Sequence, residues 1–177
     1  MIGRAIRGGL GLVAVGAGII SYGQVTANAD ETTRDATGAI VESGGVGAFR
    51  LQVGDCFNTP GATEDPTDTF EVQSVEGVPC TESHDSEVFA LFDLAGGPAA
   101  PYPGDQAAFD AGAVGCLDRF GGYVGESYEA STRWDATLFY PSQGSWDGAD
   151  DREVVCIVVP LDGSPVTVSA RAGAAAS

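Results

Sequence analysis

Lysine is absent from the 177-residue chain, histidine and methionine occur once each, and all eight basic residues are arginine. Against 25 Asp and Glu this leaves a formal charge of -17. A surface of that sign repels phosphate backbones and anionic headgroups, which argues against nucleic acid and favours cations, basic surfaces or neutral polymers as partners. No G-x-S-x-G phrase exists to place a serine nucleophile. Cysteines or histidines paired at short spacing are missing too, so no zinc-ligand pattern can be read and no metal or cofactor is expected. Heptads and internal repeats are likewise lacking.

What the chain does have is an even set of cysteines, Cys56, Cys80, Cys116 and Cys156, at long spacings behind an apolar N-terminal segment. That pattern reads as two disulfides in an oxidising compartment. Of the three pairings that four cysteines allow, Cys56 with Cys80 and Cys116 with Cys156 is preferred, because the second would join a core-facing helix position to a core strand. Chain-entropy arguments give roughly 3.5 to 4 kcal/mol for loops of these lengths.

Arg4 and Arg7 precede an uncharged run from Gly8 to Tyr22, and Ala27-Asn28-Ala29 then offers a signal-peptidase pattern before Asp30. If the segment is retained, Ile6 to Val25 crosses a bilayer with the arginines inside, and Ala14, Ala17, Gly18 and Ser21 form a small-residue face for a membrane partner helix. If it is cleaved, the mature chain starts at Asp30 and is secreted. Either outcome sends the remainder out of the cytoplasm. The expected organisation is an anchor or signal peptide over 1–29, a flexible linker over 30–48 without strand or helix period, a domain over 49–170 and a disordered tail over 171–177.

Within the domain, Phe70 to Val75 alternates as a strand, and Glu87 to Leu94 does so more clearly, with Val88, Ala90 and Phe92 on one face and Phe89 and Leu91 on the other. Asp105 is placed as the N-cap of a helix whose Phe109, Ala113, Cys116, Leu117 and Phe120 share one face, and which Gly121-Gly122 ends. Trp134 to Tyr140 and Arg152 to Val159 read as further strands, with a short one at Val166 to Ser169. This order predicts an α+β domain: a small antiparallel sheet with one main amphipathic helix packed on it and two disulfides.

Catalytic constellations are sparse. His84 has Ser83 and Asp85 beside it, but neighbours in a strand point to opposite faces, so the three cannot form a triad among themselves. Asp147, Asp150, Asp151 and Glu153 form an acidic loop that lacks EF-hand spacing and reads as a solvated cluster. His84, Tyr140 and Trp146 are the candidate binding residues, and no catalytic residue is assigned.

Val53-Gly54-Asp55-Cys56-Phe57, Val78-Pro79-Cys80, His84-Asp85, Glu87-Val88-Phe89, the helix residue Cys116, Tyr140-Pro141-Ser142, Trp146 and Asp151-Arg152 ahead of Cys156 occur in that order. Over about Phe49 to Pro160 the chain resembles the septum-formation-related domain of actinobacterial envelope proteins. The resemblance implies an extracytoplasmic module behind a transmembrane helix or lipid anchor, without a catalytic mechanism to carry over. This chain has no lipobox cysteine, and Gly148-Ala149-Asp150-Asp151 replaces a tighter Gly-Asp-Arg phrase. The expectation is a membrane-tethered accessory or binding domain of the cell envelope, meeting a membrane protein partner through its N-terminal helix and exposed domain. An exported hydrolase using His84 or a carboxylate pair is the alternative.

Overall fold

Val154 to Val159 is the most apolar stretch outside the N-terminal segment, and it lies at the heart of the sheet. The structure, a computed structural model, describes residues 13–15, 32–59, 70–97 and 99–173. Its strands are β1 (Val13–Val15), β2 (Thr33–Arg34), β3 (Ile40–Glu42), β4 (Gly44–Gly47), β5 (Cys56–Asn58), β6 (Phe70–Glu71), β7 (Ser74–Val78), β8 (Ser86–Asp93), β9 (Trp134–Pro141) and β10 (Glu153–Pro160), with helices α1 (Asp105–Val124) and α2 (Gln143–Ala149). Eight strands hydrogen-bond in the order β4-β7-β5-β8-β10-β9-β1-β6, and β2 and β3 pair separately. Among the described residues only β1 pairs in parallel, with β9 and β6; the other ladders are antiparallel. The α+β architecture and both disulfides are as the sequence predicts.

Strand β10 is buried on both faces. Val154, Cys156 and Val158 point toward α1, where they join Phe89, Ala90, Leu94, Phe120, Leu138 and Tyr140 in one core. Val155, Ile157 and Val159 point the other way, into a second core with Ile40, Val46, Phe57, Val75 and Phe139. Strand β6 ends the strand order on one side and β7 stands second from the other end, although only residues 72 and 73 separate them. So short a connection spans about 10 Å at most, and the sheet must therefore roll until its ends approach. The second core fills that roll, with the Phe57 and Phe139 rings 6.1 Å apart across it. The single strand expected over 70–75 is accordingly two, serving different parts of the sheet.

A β-bulge corrects the expected facing of β8. Cys156 pairs with Ala90 and Ile157 with Val88, so Phe89 is the extra residue on its strand. A bulge lets consecutive side chains share a face; Phe89 and Ala90 both join the α1 core, while Val88 faces the second core. Glu87 is thereby turned toward α1, where plain alternation from Ala90 would have aimed it away.

Helix α1 begins one residue earlier than expected at its cap: Gly104 is the N-cap and Asp105 the first helical residue. It runs past Gly121-Gly122 to a left-handed Gly125. Its buried line is Ala108, Gly112, Cys116, Phe120 and Tyr123, with Phe109, Ala113 and Leu117 packed at the flank. Gly112 sets this rotation, because a Cβ there would stand 2.6 Å from Leu138 Cδ1. Cys116 bonds to Cys156 at a Cα separation of 5.4 Å.

Residues 32–48, expected as flexible linker, are ordered. Ile40, Val46 and Ala48 are buried in the second core, β4 pairs with β7, and Arg34 holds Asp55 in a two-bond ion pair at 2.5 and 2.7 Å. Glycines in β4 erase the alternation that would have marked a strand, and β7 supplies the order instead. Gly77 opposite them allows the close approach: a Cβ there would meet Val46 and Ile40 at 2.7 and 2.8 Å. Of the segment read as an anchor, Val13–Val15 are described, and there the backbone, Ala14 included, is extended alongside β9. Ala17, Gly18 and Ser21 lie outside the described residues. Among the described residues no helix is long and apolar enough to cross a membrane.

Ile40 distinguishes a packed segment from a linker. Ile40→Ala is expected to cost about 2–4 kcal/mol in urea unfolding, whereas a solvated linker residue would change stability by about 0.5 kcal/mol or less.

Candidate functional site

Two polar clusters account for the sequence phrases that looked functional. The first is built on the Cys56–Cys80 disulfide. Cys56 on β5 lies directly across from Glu87 on β8. His84, in the turn between β7 and β8, is tied by its backbone to Val166, N to O in both directions at 2.9 and 2.8 Å. The ligating atoms of Cys56, His84 and Glu87 lie within 4.8 Å of one another.

All three are out of solvent: Cys56 is 0 % exposed, His84 1 % and Glu87 2 %. A buried carboxylate is stable only if hydrogen-bonded. Glu87 Oε1 accepts from the Tyr123 hydroxyl at 2.5 Å and Ser169 Oγ at 2.6 Å, and Oε2 accepts from the Ala170 N–H at 2.6 Å. The bulge that turns Glu87 toward α1 is what brings Tyr123 within reach. Burial, and next the negative charge and hydrogen bond of Glu87, raise the Tyr123 phenol above its ordinary value, against the lowering influence of Arg171, whose guanidinium stands 4.9 Å from the Tyr123 ring centroid.

His84 Nδ1 lies 2.8 Å from the Glu82 carbonyl oxygen, which can only accept, so Nδ1 carries the proton and donates. In the neutral ring Nε2 is then the lone pair, and among the described residues it has no hydrogen-bond partner. Asp85 is engaged elsewhere, accepting from Thr59 N at 3.0 Å and Ser86 Oγ at 2.7 Å.

The C-terminal segment closes this cluster. Val166 pairs with His84, Ser169 and Ala170 bind Glu87, Arg171 covers Tyr123, and Ala172 N donates to Tyr123 O at 2.8 Å. Its first residue, Val166, forms an isolated bridge rather than the short strand expected over 166–169. Arg171 to Gly173 are thus placed on the domain, in contrast to the disordered tail expected there, and 174–177 lie outside the described residues. Nothing in the local sequence marks a strap, since its order comes from the distant Glu87 and His84.

The second cluster gathers the Tyr-Pro-Ser, Trp and Asp-Arg phrases. Ser142 caps α2 by accepting from Ser145 N at 3.2 Å, while Ser145 Oγ accepts from Ser142 N and donates to Asp151 Oδ2 at 2.7 Å. Trp146 Nε1 donates to Ala100 O at 2.8 Å, the edge of Tyr102 meets the Trp146 ring at 5.6 Å, and the Arg152 guanidinium lies 3.6 Å from the ring centroid. Arg152 also donates to the Trp146, Asp151 and Gly97 carbonyls. Tyr140 packs edge-on against Phe109 at 6.1 Å. Trp146 and Tyr140 are each only 2 % exposed, so neither presents a binding face. The expected acidic loop is α2 and its exit: Asp147 and Asp150 are exposed, but Asp151 is buried, its carboxyl raised by burial in spite of the Ser145 bond.

Of the three candidate binding residues, Tyr140 and Trp146 belong to the α1 core and the second cluster, while His84 sits in the first. A cleft of about 370 Å³ is lined by Thr32, Arg34, Val46, Arg50 and Gln52, and another of about 310 Å³ by Arg133, Leu161, Asp162 and Val166; His84 lines neither.

Fold and clusters together define a disulfide-stapled α+β domain with two buried polar clusters. The family model described as septum formation matches residues 53–177, and the chain belongs to that family. No curated protein and no solved structure matches it.

Tyr123 gives a test in pH. Its folded pKa exceeds its unfolded one, so the native state keeps a proton that the unfolded state loses, and stability present below about pH 10 falls as pH rises beyond it. Tyr123→Phe is expected to flatten that alkaline loss in pH-dependent urea melts, with a remainder from Tyr102 and Tyr140, which are raised in the same direction. At neutral pH the same variant should cost about 1–3 kcal/mol through the lost bond to Glu87.

Proposed function

We propose that the protein is a non-catalytic, membrane-tethered extracytoplasmic domain of the actinobacterial cell envelope, acting as an accessory or binding subunit in septum formation. Membership of the septum-formation family over 53–177 carries this reading. Two disulfides support an oxidising, extracytoplasmic location. The non-catalytic part is supported by the single histidine, which is sealed beneath the C-terminal segment without a nucleophilic hydroxyl in its hydrogen bonds. The partner is a membrane protein, met through the N-terminal segment and the exposed domain.

Tethering and the observed β1 are alternatives for the same residues. A chain whose residues 6–25 cross a bilayer cannot also pair Val13–Val15 with β9, and β9 then becomes a sheet edge. Protein isolated from washed membranes of its host is expected to retain Met1, with fast amide exchange at whichever of Phe139 and Tyr140 faces β1 in the observed pairing. A chain that starts at Asp30 and is released into the medium would contradict the tether.

The non-catalytic reading is tested by screening the full chain and His84→Ala against peptides, esters and glycans. No turnover is expected; turnover by the wild type that the variant loses would establish a hydrolase.

A further inference from the structure

We propose that opening the Cys56–Cys80 disulfide converts the first cluster into a zinc site made by Cys56, Cys80, His84 and Glu87. The donor set is preformed on one side of the bond. His84 offers an Nε2 lone pair, buried and without a partner among the described residues, while its Nδ1–H is held by the Glu82 carbonyl. A backbone acceptor on the opposite ring nitrogen is the arrangement that orients a metal-binding imidazole. Glu87 uses three of its roughly four acceptor positions on Tyr123, Ser169 and Ala170, which leaves one. The Cys56 sulfur, a His84 ring nitrogen and a Glu87 carboxylate oxygen share the 4.8 Å circle, and the Cys80 sulfur is bonded to that of Cys56.

The ion is identified by its ligands. Two thiolates, an imidazole and a carboxylate suit a tetrahedral zinc ion, whose ligating atoms stand roughly 3.3–3.8 Å apart. Closing from 4.8 Å requires movements on the order of 1 Å, within the reach of two cysteine side chains released to rotate. While the disulfide is intact neither sulfur is a thiolate, and His84 and Glu87 alone are too few for a structural zinc ion.

The cysteines differ in exposure. Cys80 is partly exposed, whereas Cys56, Cys116 and Cys156 are buried. A thiolate of a dithiol reductant attacks Cys80 Sγ, the S–S bond breaks, and Cys56 departs as a thiolate facing His84. The second thiolate of the reductant then attacks the mixed disulfide at the reductant's own sulfur and releases Cys80 as a thiolate. The dithiol is oxidised to a disulfide, its two protons pass to solvent, and zinc takes the place that protons would occupy on the two cysteine sulfurs. Access makes the Cys56–Cys80 bond the first to open, with Cys116–Cys156 surviving.

The test treats the full chain with a mild dithiol, maps the open bond by mass spectrometry, and titrates zinc against a chromophoric chelator. The expected result is opening of Cys56–Cys80 first, a single zinc ion per chain after opening and none before, and an affinity lowered by about one to two orders of magnitude or more in His84→Gln. Zinc-edge X-ray absorption of the opened wild-type chain should give two sulfur neighbours and at least one imidazole, a readout that does not depend on any variant folding. Failure to take up zinc after opening, zinc without sulfur neighbours, equal affinity in a folded His84→Gln chain, or prior opening of Cys116–Cys156 would overturn the proposal.

Discussion

Strand β10 is desolvated on both sides, and the remaining layers are arranged by what each side demands. Toward α1 it presents Val154, Cys156 and Val158, and the Cys116–Cys156 bond clamps the helix to that face. Toward the interior of the roll it presents Val155, Ile157 and Val159, which the sheet covers by curling and by recruiting Ile40 and Val46 from the N-terminal side. A strand so placed shares its backbone bonds with β8 and β9, leaving neither edge open. Burial of this kind stabilises in proportion to the apolar area removed from water, at roughly 25 cal/mol per Å².

The cost of a bulge in the neighbouring strand is set against a polar gain. By adding Phe89, β8 turns Glu87 to the helix side, where a carboxylate would be intolerable without donors. Tyr123, Ser169 and Ala170 supply them, and two of the three come from the C-terminal segment. The charge therefore acts as an anchor for that segment, and the segment in turn removes His84 from water. On a chain whose formal charge is -17, a carboxylate satisfied internally also avoids adding to surface repulsion.

Much of this was legible in the residues. Helix α1, β9 and β10 follow from local period, and the disulfide pairing from the core position of Cys116 matched to a core strand. The bulge was not, since Val88, Ala90 and Phe92 alternate well and only the partner strand reveals the extra residue. Nor was the order of 32–48: Gly44, Gly45 and Gly47 have no side chains from which a period could be read. Helix α2 carries Gly144, Gly148 and Asp147 in seven residues and depends on the Ser142–Ser145 capping box and on Arg152 over Trp146. His84 was singled out by rarity; Glu87 was missed as a site residue because one acid among 25 acidic residues bears no mark until its three donors are seen.

The domain is closed at its core by β10 and at its polar cluster by the C-terminal segment. Native-state amide hydrogen exchange reads both at once. The amides of Val154 to Val159 should exchange only through global opening, and those of Val166 and Ala170, bonded to His84 O and Glu87, should be strongly protected as well. Protection of β10 together with unprotected Val166 and Ala170 would contradict the closure of the cluster.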